Sequence, residues 1–423
     1  MAERSGWGPR RRAYWMPSLL VPVGLLLLIG LLTVYSATVL RQGGDSALVV
    51  RHLIAVALGC GVAALLAWLP PRGLEDFSPF LYAGSLLLLL AVLLAGETHS
   101  GARRWIEFGP LQVQPAEPAK LIFVLFLAHY LGRMRCDLRR LSTLAASLAI
   151  IAAPGLLVLR EPDLGTAMAF PAVGVMMLVW AGLPWTTLGL LASPLVTAVL
   201  AGLRFLSHSS AIWLGLLWIP VVAVAAAWMR RRGVAWILVG AFLLVQLLVA
   251  IEVPRLWNHL EPYQRARVTA FVDPERDPSG AGYQVIQSKI AIGSGCVWGR
   301  GFGRGSQKAL SFLPRQHTDF IYSVVGEELG FWGAGLVLGL YTLLLLRGLT
   351  LARAIRARFG SLVAVGVTGL IAYHVAVNVA MTLGLAPVTG LPLPFLSFGG
   401  SFLISCLGAV GLLLGMAVRR NEY

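Results

Sequence analysis

The sequence predicts an all-α polytopic integral membrane protein, and three observations support that prediction. The 423 residues are 57% hydrophobic and only 13% charged, whereas soluble domains carry about 25% charged residues. The mean hydropathy is +0.78. The apolar residues are gathered into runs of about 20, the length that a membrane-spanning helix needs. An ordinary soluble enzyme is therefore excluded.

About twelve such runs follow one another along the chain, separated by polar or basic residues. The first run lacks a clear cleavage site, so we interpret it as a span rather than a signal peptide. The predicted spans are 15–38, 51–69, 78–95, 117–133, 142–159, 164–182, 185–203, 211–229, 234–252, 319–346, 361–384 and 399–418.

Arginine clusters determine the predicted orientation, because short cytoplasmic loops are rich in Lys and Arg. All dense clusters except Arg103 and Arg104 fall on one side, together with both termini and a basic tail at residues 1–14. These loops explain the net charge of +15, so no nucleic-acid partner is predicted. The clusters lie at 4–12, 133–140, 230–232, 347–358 and 419–420.

Two polar loops are then predicted to lie outside the membrane, Gly96–Pro118 and residues 252–318. The longer loop holds nine Lys and Arg residues against five Asp and Glu residues. A positive external loop suits an anionic ligand such as a lipid diphosphate. Contact with anionic lipid headgroups is the alternative.

The long loop concentrates carboxylates and glycines. Asp273 and Asp277 each precede a proline, which disfavours helix at both positions. A carboxylate presented there can act as a general base toward a hydroxyl, although Asp-Pro is also common in turns. The segment Gly299–Lys308 alternates glycines with cations, which is typical either of a phosphate cradle or of a flexible loop.

The first external loop and the turn after the fifth span carry further polar residues. Arg103 and Trp105 suit the membrane interface. Glu117 and Lys120 are three residues apart, so they can pair on one helical face, as substrate contacts or as a structural ion pair. Asp163 stands at a helix start, where capping is the simplest interpretation.

Polar residues also occur within or beside the last three spans. Asp319 and Glu327 are eight residues apart and would share a face if helical. Buried ionisable groups in spans are costly and often functional, although an internally hydrogen-bonded core is the alternative. His374 and Asn378, four apart, would line a cavity or pair with each other. The other polar groups lie toward the outside, which favours chemistry at the outer leaflet over a transporter with a midplane site.

Four cysteines, Cys60, Cys136, Cys296 and Cys406, have no close spacing, so neither a zinc site nor a disulfide framework is predicted.

Seven motifs occur in an order that resembles the SEDS family (shape, elongation, division and sporulation). They are GARRW, QPAEPAKL, EPDLGTA, DPERDPSGAGYQVIQSKIAIGSG, FLPRQHTDFI, GEELG and PVTGLPLPFLSFGGS. The phrasing SKIAIGSG and GLAPVTGLPLPF is more similar to RodA-type than to FtsW-type members. The likeness runs from about residue 15 to the C-terminus as one transmembrane domain, 15–423.

The resemblance implies an inverting peptidoglycan glycosyltransferase that polymerises lipid II for cell elongation and rod shape. Its active site would face outward from the bacterial cytoplasmic membrane. An acceptor hydroxyl attacks C1 of the growing strand and undecaprenyl diphosphate leaves. The family's essential aspartate matches Asp277, the implied general base, with Asp273 as its main rival. An FtsW-type division polymerase, a lipid II flippase or transporter, and a scaffold for the transpeptidase are the alternatives.

The resemblance also implies substrate-binding positions, a metal and partners. A divalent cation (Mg or Mn) is implied, with no organic cofactor. The implied partners are a class B penicillin-binding protein, which is a transpeptidase, and other membrane proteins of the elongation complex. The implied substrate-binding residues are Arg103, Trp105, Glu117, Lys120, Asp163, Asp273, Ser288, Lys289, His317, Thr318, Asp319 and Ser397.

Two features depart from the family pattern. The family usually has ten spans, so the apolar material within 185–253 predicts an extra helical pair. Arg315 stands in FLPRQ where a glutamate is usual, which puts a carboxylate role at that position in doubt.

Overall fold

The structure is a computed structural model, and most of its described residues are helical. The described residues are 12–40, 46–95, 97–99, 102–108, 111–133, 137–203, 210–259, 265–266, 269–271, 273, 282–305 and 316–420.

A helix occupies each of the twelve predicted spans, and a shorter helix, α10, lies in the described part of the long loop. The helices are α1 (Arg12–Thr38), α2 (Ser46–Trp68), α3 (Pro71–Ala95), α4 (Ala116–Arg133), α5 (Leu141–Arg160), α6 (Leu164–Trp180), α7 (Trp185–Leu203), α8 (Ser210–Arg231), α9 (Trp236–His259), α10 (Tyr283–Ser294), α11 (Ile321–Ala354), α12 (Arg358–Thr382) and α13 (Gly400–Val418).

The chain is a multi-pass membrane protein. Nine of the described helices are long and apolar enough to cross a membrane, while α6 has only 17 residues. The helix α4 carries Glu117, Lys120 and Arg133 within its 18 residues. Membrane crossing by α4, α6 and α8, and therefore the count of twelve spans, stays a prediction.

Three short strands form where the sequence predicted only a loop. They are β1 (Glu97–His99), β2 (Ala102–Phe108) and β3 (Leu111–Val113). The strands pair antiparallel in the order β1-β2-β3, with Glu97 opposite Trp105 and Ile106 opposite Val113. An open sheet edge is tolerated only outside the hydrocarbon region, so this small sheet fits the predicted external loop.

The described chain divides into two compact units, which we call the first unit (Met1–Gly182 and Gln284–Tyr423) and the second unit (Leu183–Tyr283). In the first unit, α12 and α13 are the most enclosed helices, with 72% and 78% of their apolar stretches buried. A Cβ on Gly411 of α13 would lie 2.4 Å from the carbonyl oxygen of Ala63 on α2. Small residues allow such close backbone approach, which favours helix association in membranes.

The helix α11 is interrupted at Gly330, which has φ 66° and ψ −162°. The break leaves the carbonyls of Glu327 and Glu328 without helical partners, and the backbone N–H groups of Arg300 and Gly301 donate to them at 3.0 Å each. These N–H groups are therefore engaged within the protein rather than open to a phosphate. In its described part the glycine-rich segment acts as a support for the α11 kink.

The carboxylates beside this kink belong to an internal polar core. Glu327 and Glu328 are buried, and the hydroxyl of Ser36 on α1 donates to Glu328 Oε1 at 2.5 Å. The condition for Asp319 and Glu327 to share a helical face is not met, because α11 begins at Ile321 and Asp319 lies in the preceding turn.

The second unit holds α7, α8 and α9, which contain the predicted extra helical pair. A buried polar cluster joins the three helices. Gln246 donates to Ser193 Oγ at 2.5 Å and accepts a hydrogen bond from Thr197, whose hydroxyl accepts from the indole of Trp218 at 2.8 Å. Such interhelical hydrogen bonds specify helix packing in membranes. Whether this pair is an insertion stays a prediction.

Candidate active site

Most of the predicted polar residues of the first unit gather at one end of its helices, which we call the outer end. This end consists of the N-terminal ends of α4, α6, α11 and α13 and the C-terminal ends of α3, α5 and α12. Hydrogen bonds between helices show that these ends are adjacent. The amide of Gln114 donates to Ser401 Oγ at 3.4 Å, and the hydroxyl of Tyr373 donates to the carbonyl of Gly165 at 2.8 Å.

A buried cluster of Glu117, Lys120 and His374 lies at the outer end. Lys120 Nζ is 3.0 Å from both Oε1 and Oε2 of Glu117 and 3.0 Å from Nε2 of His374. All three side chains are at most 3% exposed. The predicted i, i+3 pair on α4 is therefore confirmed, and His374 of α12 is its third member. Because buried charges are costly unless paired, each member of the cluster depends on the others.

Phe402 of α13 closes the cluster on one side, with the centre of its ring 5.6 Å from Lys120 Nζ and 4.9 Å from the His374 ring. The adjoining cavity measures about 10 Å³, which is room for roughly one water molecule. A lipid phosphate does not fit there. If Lys120 contacts the substrate, then α4, α12 or α13 must first separate locally.

A second polar group surrounds Asp163, the N-cap of α6. Its Oδ1 accepts from the amide of Thr166 at 3.1 Å, as the capping interpretation predicted. Its Oδ2 accepts from Gln114 Nε2 at 3.2 Å and lies 3.6 Å from Arg104 Nη1. The cap therefore also joins α6 to the sheet and to the start of α4.

Glu161 lies beside this cap and is buried, with 1% of the residue exposed. Burial, followed by the nearby Asp163 carboxylate, raises the pKa of Glu161 from 4.5 to about 8, against the opposing effect of the Arg104 guanidinium. Arg104 Nε donates to the Glu161 carbonyl at 2.9 Å, and Nη2 donates to the Pro162 carbonyl. The Glu161 carboxyl is therefore mostly protonated at neutral pH. The Arg104 guanidinium contacts both carbonyls of this turn and the Asp163 carboxylate, so it holds the turn in place.

The irregular segment between α12 and α13, residues 383–399, also belongs to the outer end. Asn378 Nδ2 donates to the carbonyls of Asp319 at 2.9 Å and Leu391 at 2.7 Å. Ser397 Oγ donates to the Thr318 carbonyl at 2.6 Å and accepts from the Leu393 amide at 2.8 Å. Ser397 and Asn378 therefore form hydrogen bonds with backbone groups of the irregular segments. A pairing of Asn378 with His374, which was one of the two alternatives, is not seen.

The predicted residues of α10 divide into a buried and an exposed one. Ser288 is fully buried, with its Oγ 2.6 Å from Ser323 Oγ and donating to the Thr382 carbonyl at 2.6 Å. Lys289 is exposed, and its side chain passes so close to Gly384 that a Cβ on that glycine would lie 2.3 Å from Lys289 Cε. Ser288 therefore attaches α10 to α11 and α12, and Lys289 is accessible to a ligand.

The remaining predicted residues are at the periphery or outside the described residues. Trp105 lies on β2 and is partly exposed, and Arg103 lies on the same strand. His317 is partly exposed, with its ring 5.8 Å from that of Phe398. Asp273, in the second unit, is exposed, and its amide donates to the Thr269 carbonyl at 2.9 Å. Asp277 and Arg315 are outside the described residues.

Comparison with known proteins finds similarity over almost the whole chain. The profile of the FtsW/RodA/SpoVE family, described as cell cycle proteins, matches residues 17–212 and 207–422. The chain belongs to this family. The peptidoglycan glycosyltransferase MrdB of Escherichia coli K12 is 36% identical over 416 residues, covering 98% of this chain and 97% of MrdB. Relatives named FtsW also match.

Two solved structures support the fold of this FtsW/RodA/SpoVE member. One, from work on the structural coordination of polymerization and crosslinking by a peptidoglycan synthase complex, has a TM-score of 0.70, 34% identity, and covers 96% of this chain and 98% of that one. The rod shape determining protein RodA of Thermus thermophilus has a TM-score of 0.63, 28% identity and the same coverage. The RodA-type assignment is therefore supported.

Sequence reasoning did not select three residues that organise the outer end of this family member, Arg104, Gln114 and Glu161. Arg104 was visible in GARRW, but only the pairing of the strands directs its guanidinium toward the turn after α5, because alternate strand residues face opposite ways. Gln114 and Glu161 stand within recognised motifs, yet nothing in their spacing shows that they meet.

The implied divalent cation finds no complete ligand set among the described residues. No group of three or more His, Cys, Asp or Glu side chains in that part of the chain is placed to hold a metal ion. At the turn after α5, the Arg104 guanidinium already lies 3.6 Å from Asp163 Oδ2. We therefore derive no catalytic step through a metal.

Proposed function

We propose that this chain is an elongation-type peptidoglycan glycosyltransferase that polymerises lipid II at the outer face of the bacterial cytoplasmic membrane. The observation that carries the proposal is the 36% identity to a peptidoglycan glycosyltransferase over 98% of the chain. The outer end of the first unit adds support, because hydrogen bonds join polar residues of α4, α6, α12 and α13 and of the segment before α4 there.

In the proposed reaction a hydroxyl oxygen of the acceptor sugar attacks C1 of the donor sugar. The new C–O bond forms as the bond from C1 to the diphosphate oxygen breaks, so the configuration at C1 inverts and undecaprenyl diphosphate leaves. The Asp277 carboxylate takes the hydroxyl proton as general base, a role typically worth 10²–10⁴-fold in rate. Six residues after Asp277 the chain enters α10, whose Ser288 is attached to α11 and α12.

The proposed role of the buried cluster is to hold a cation for the diphosphate. Lys120 carries its charge into an apolar surrounding, where an electrostatic interaction is stronger than in water. Glu117 and His374 hold the ammonium group in place until the substrate arrives. Arg104 holds the turn after α5, and the exposed Lys289 and partly exposed Trp105 are proposed as further substrate contacts.

The proposed partner is a class B penicillin-binding protein that crosslinks the nascent strand. A structurally similar protein comes from a complex in which polymerization and crosslinking are coordinated. Other membrane proteins of the elongation complex are proposed from the family resemblance alone. The described residues give no separate support for a Mg or Mn ion, so the metal requirement remains to be tested by chelation and readdition.

A polymerisation assay tests the proposal. The full chain, purified with a class B partner, is supplied with labelled lipid II in the presence of moenomycin. We expect the wild type to form glycan polymer, Asp277→Asn to lose at least about 100-fold in rate, and Asp273→Asn to lose much less. Thermal unfolding of each variant shows whether the fold is retained.

Three results would contradict this proposal. If Asp277→Asn forms polymer at the wild-type rate, Asp277 is not the general base. If both variants lose activity equally, the assignment of the role to Asp277 rather than Asp273 is wrong. Proteoliposomes that translocate lipid II without polymerising it, with translocation unaffected by Asp277→Asn, establish the flippase alternative.

A further inference from the structure

A polar cavity lies at the opposite end of the first unit. Where one helix contributes to both places, its cavity residues and its candidate active-site residues lie toward opposite ends of that helix. The cavity measures about 220 Å³ and is lined by the N-terminal ends of α3 and α12 and the C-terminal ends of α4, α11 and α13. The arginine clusters place these helix ends on the cytoplasmic side. The reaction proposed above makes no use of this cavity.

The described residues that line the cavity carry three guanidinium groups and one carboxylate, a net charge of +2. They are Arg72, Arg358 and Arg419, with Glu75 as the carboxylate. Arg72 and Arg358 are exposed, and Arg358 Nη2 donates to the neutral carbonyl of Ala181 at 3.4 Å, so no carboxylate in that contact cancels its charge. An anion is therefore favoured over a cation.

Arg419 is held in a fixed position at the cavity wall. Its guanidinium donates to the carbonyls of Ala67, Trp68 and Leu69, at the C-terminal end of α2, at 2.9, 2.6 and 3.1 Å. These carbonyls carry no formal charge, so they orient the guanidinium, and the partly negative end of α2 offsets only part of its charge. The rigid anchoring reduces the entropic cost of using Arg419 to bind an anion.

The start of α12 adds backbone donors to the same wall. Its N-cap, Ala357, supplies no side-chain hydrogen bond, and Arg358, Phe359 and Gly360 line the cavity directly. The first N–H groups of a helix have no partner within the helix, and the helix dipole makes this end positive. Phosphate groups bind at such ends, and here three arginines surround the same space.

The walls also hold apolar groups from Ile355, Phe359 and Met416. The cavity is smaller than the roughly 300–1,000 Å³ typical of sites for drug-sized ligands, which suits a headgroup better than a nucleotide. Basic pockets between helices on the cytoplasmic side are places where anionic lipid headgroups bind. We propose that this cavity binds the phosphate of an anionic phospholipid from the cytoplasmic leaflet.

The test uses the purified full chain in nanodiscs or detergent. Phosphatidylglycerol is titrated against phosphatidylcholine, with lipid retention by native mass spectrometry and the thermal midpoint as two readouts, since a ligand that binds the folded state raises that midpoint. Separate arms add inorganic phosphate or glycerol phosphate. We expect saturable retention and stabilisation by phosphatidylglycerol, little effect of phosphatidylcholine, and at most weak effects of the soluble phosphates.

The decisive variant is Arg358→Gln, and its matched control is Arg353→Gln. Arg353 is an exposed arginine at the end of α11, outside the cavity lining, so both variants remove one positive charge at the same membrane surface. Losing a charge-assisted contact predicts about tenfold weaker phosphatidylglycerol binding for Arg358→Gln, and more for Arg72→Gln with Arg358→Gln. Arg353→Gln is expected to bind as the wild type does.

Three outcomes overturn the proposal. Equal weakening by Arg353→Gln means that only general surface attraction acts. Inorganic phosphate that binds as tightly as the lipid means that the site takes free phosphate. No preference of the wild type for phosphatidylglycerol over phosphatidylcholine means that the cavity is not a lipid site, and this result needs no variant to fold.

Discussion

Replacing Lys120 by methionine should separate a structural ion pair from a substrate contact. Methionine keeps the length of the side chain and removes the charge, which leaves Glu117 buried at 3% exposure without its cation. Removing one partner of a buried pair costs about 3–5 kcal/mol of unfolding free energy. That cost corresponds to a factor of roughly 10²–10⁴ in the folded-to-unfolded ratio.

The double variant Glu117→Gln with Lys120→Met removes both charges. Because replacing a whole buried pair by uncharged groups of similar volume is often neutral, the double variant should recover most of the lost stability. It should not recover polymerisation if the Lys120 charge serves the diphosphate. A stable but inactive double variant would therefore assign the Glu117 and Lys120 pair to the substrate rather than to stability.

A surface pair with the same spacing provides the matched control. Arg255 and Glu252 are 2.6 Å apart with side chains 66% and 47% exposed, and such exposed pairs contribute about 0–1 kcal/mol. Arg255→Met is therefore expected to unfold near the wild-type midpoint in the same detergent. The reasoning is refuted if Lys120→Met is as stable as Arg255→Met, and the substrate role is refuted if the double variant polymerises lipid II normally.

Two further predictions concern the kink and the capped turn. Gly330→Ala should destabilise the chain by more than about 1–3 kcal/mol, because φ is 66° and a Cβ would lie 2.2 Å from the Gly299 amide nitrogen; an unchanged thermal midpoint would contradict this. The raised pKa of Glu161, about 8 against 4.5, means that the folded state binds its proton more tightly than the unfolded state does. Stability from this group is complete below pH 4.5 and is lost as pH rises toward 8. The wild-type thermal midpoint should therefore fall between pH 5 and 8 more steeply than that of Glu161→Gln, and parallel pH profiles would show that the carboxyl does not titrate there.

The positions of the membrane helices followed from the sequence, because a helix in the bilayer must satisfy its own backbone hydrogen bonds over a known thickness. Each predicted span is occupied by a helix for that reason. The pair Glu117 and Lys120 was also predictable, since a spacing of three on a helix brings two side chains together whatever surrounds them. The family followed from motif order, which needs no coordinates.

Tertiary structure alone decided which of these local features meet. Lys120 and His374 are 254 residues apart along the chain, and only the packing of α4 against α12 brings their nitrogen atoms to 3.0 Å. The strands β1–β3 were not predicted because short strands of three to seven residues carry too little periodic pattern, and their pairing is what turns Arg104 toward Asp163. The basic cavity at the other end is built from five helix ends that are distant in sequence. Sequence thus determined the helices and the reaction class, whereas long-range packing determined which charges are buried together, because burial depends on neighbours that no local spacing specifies.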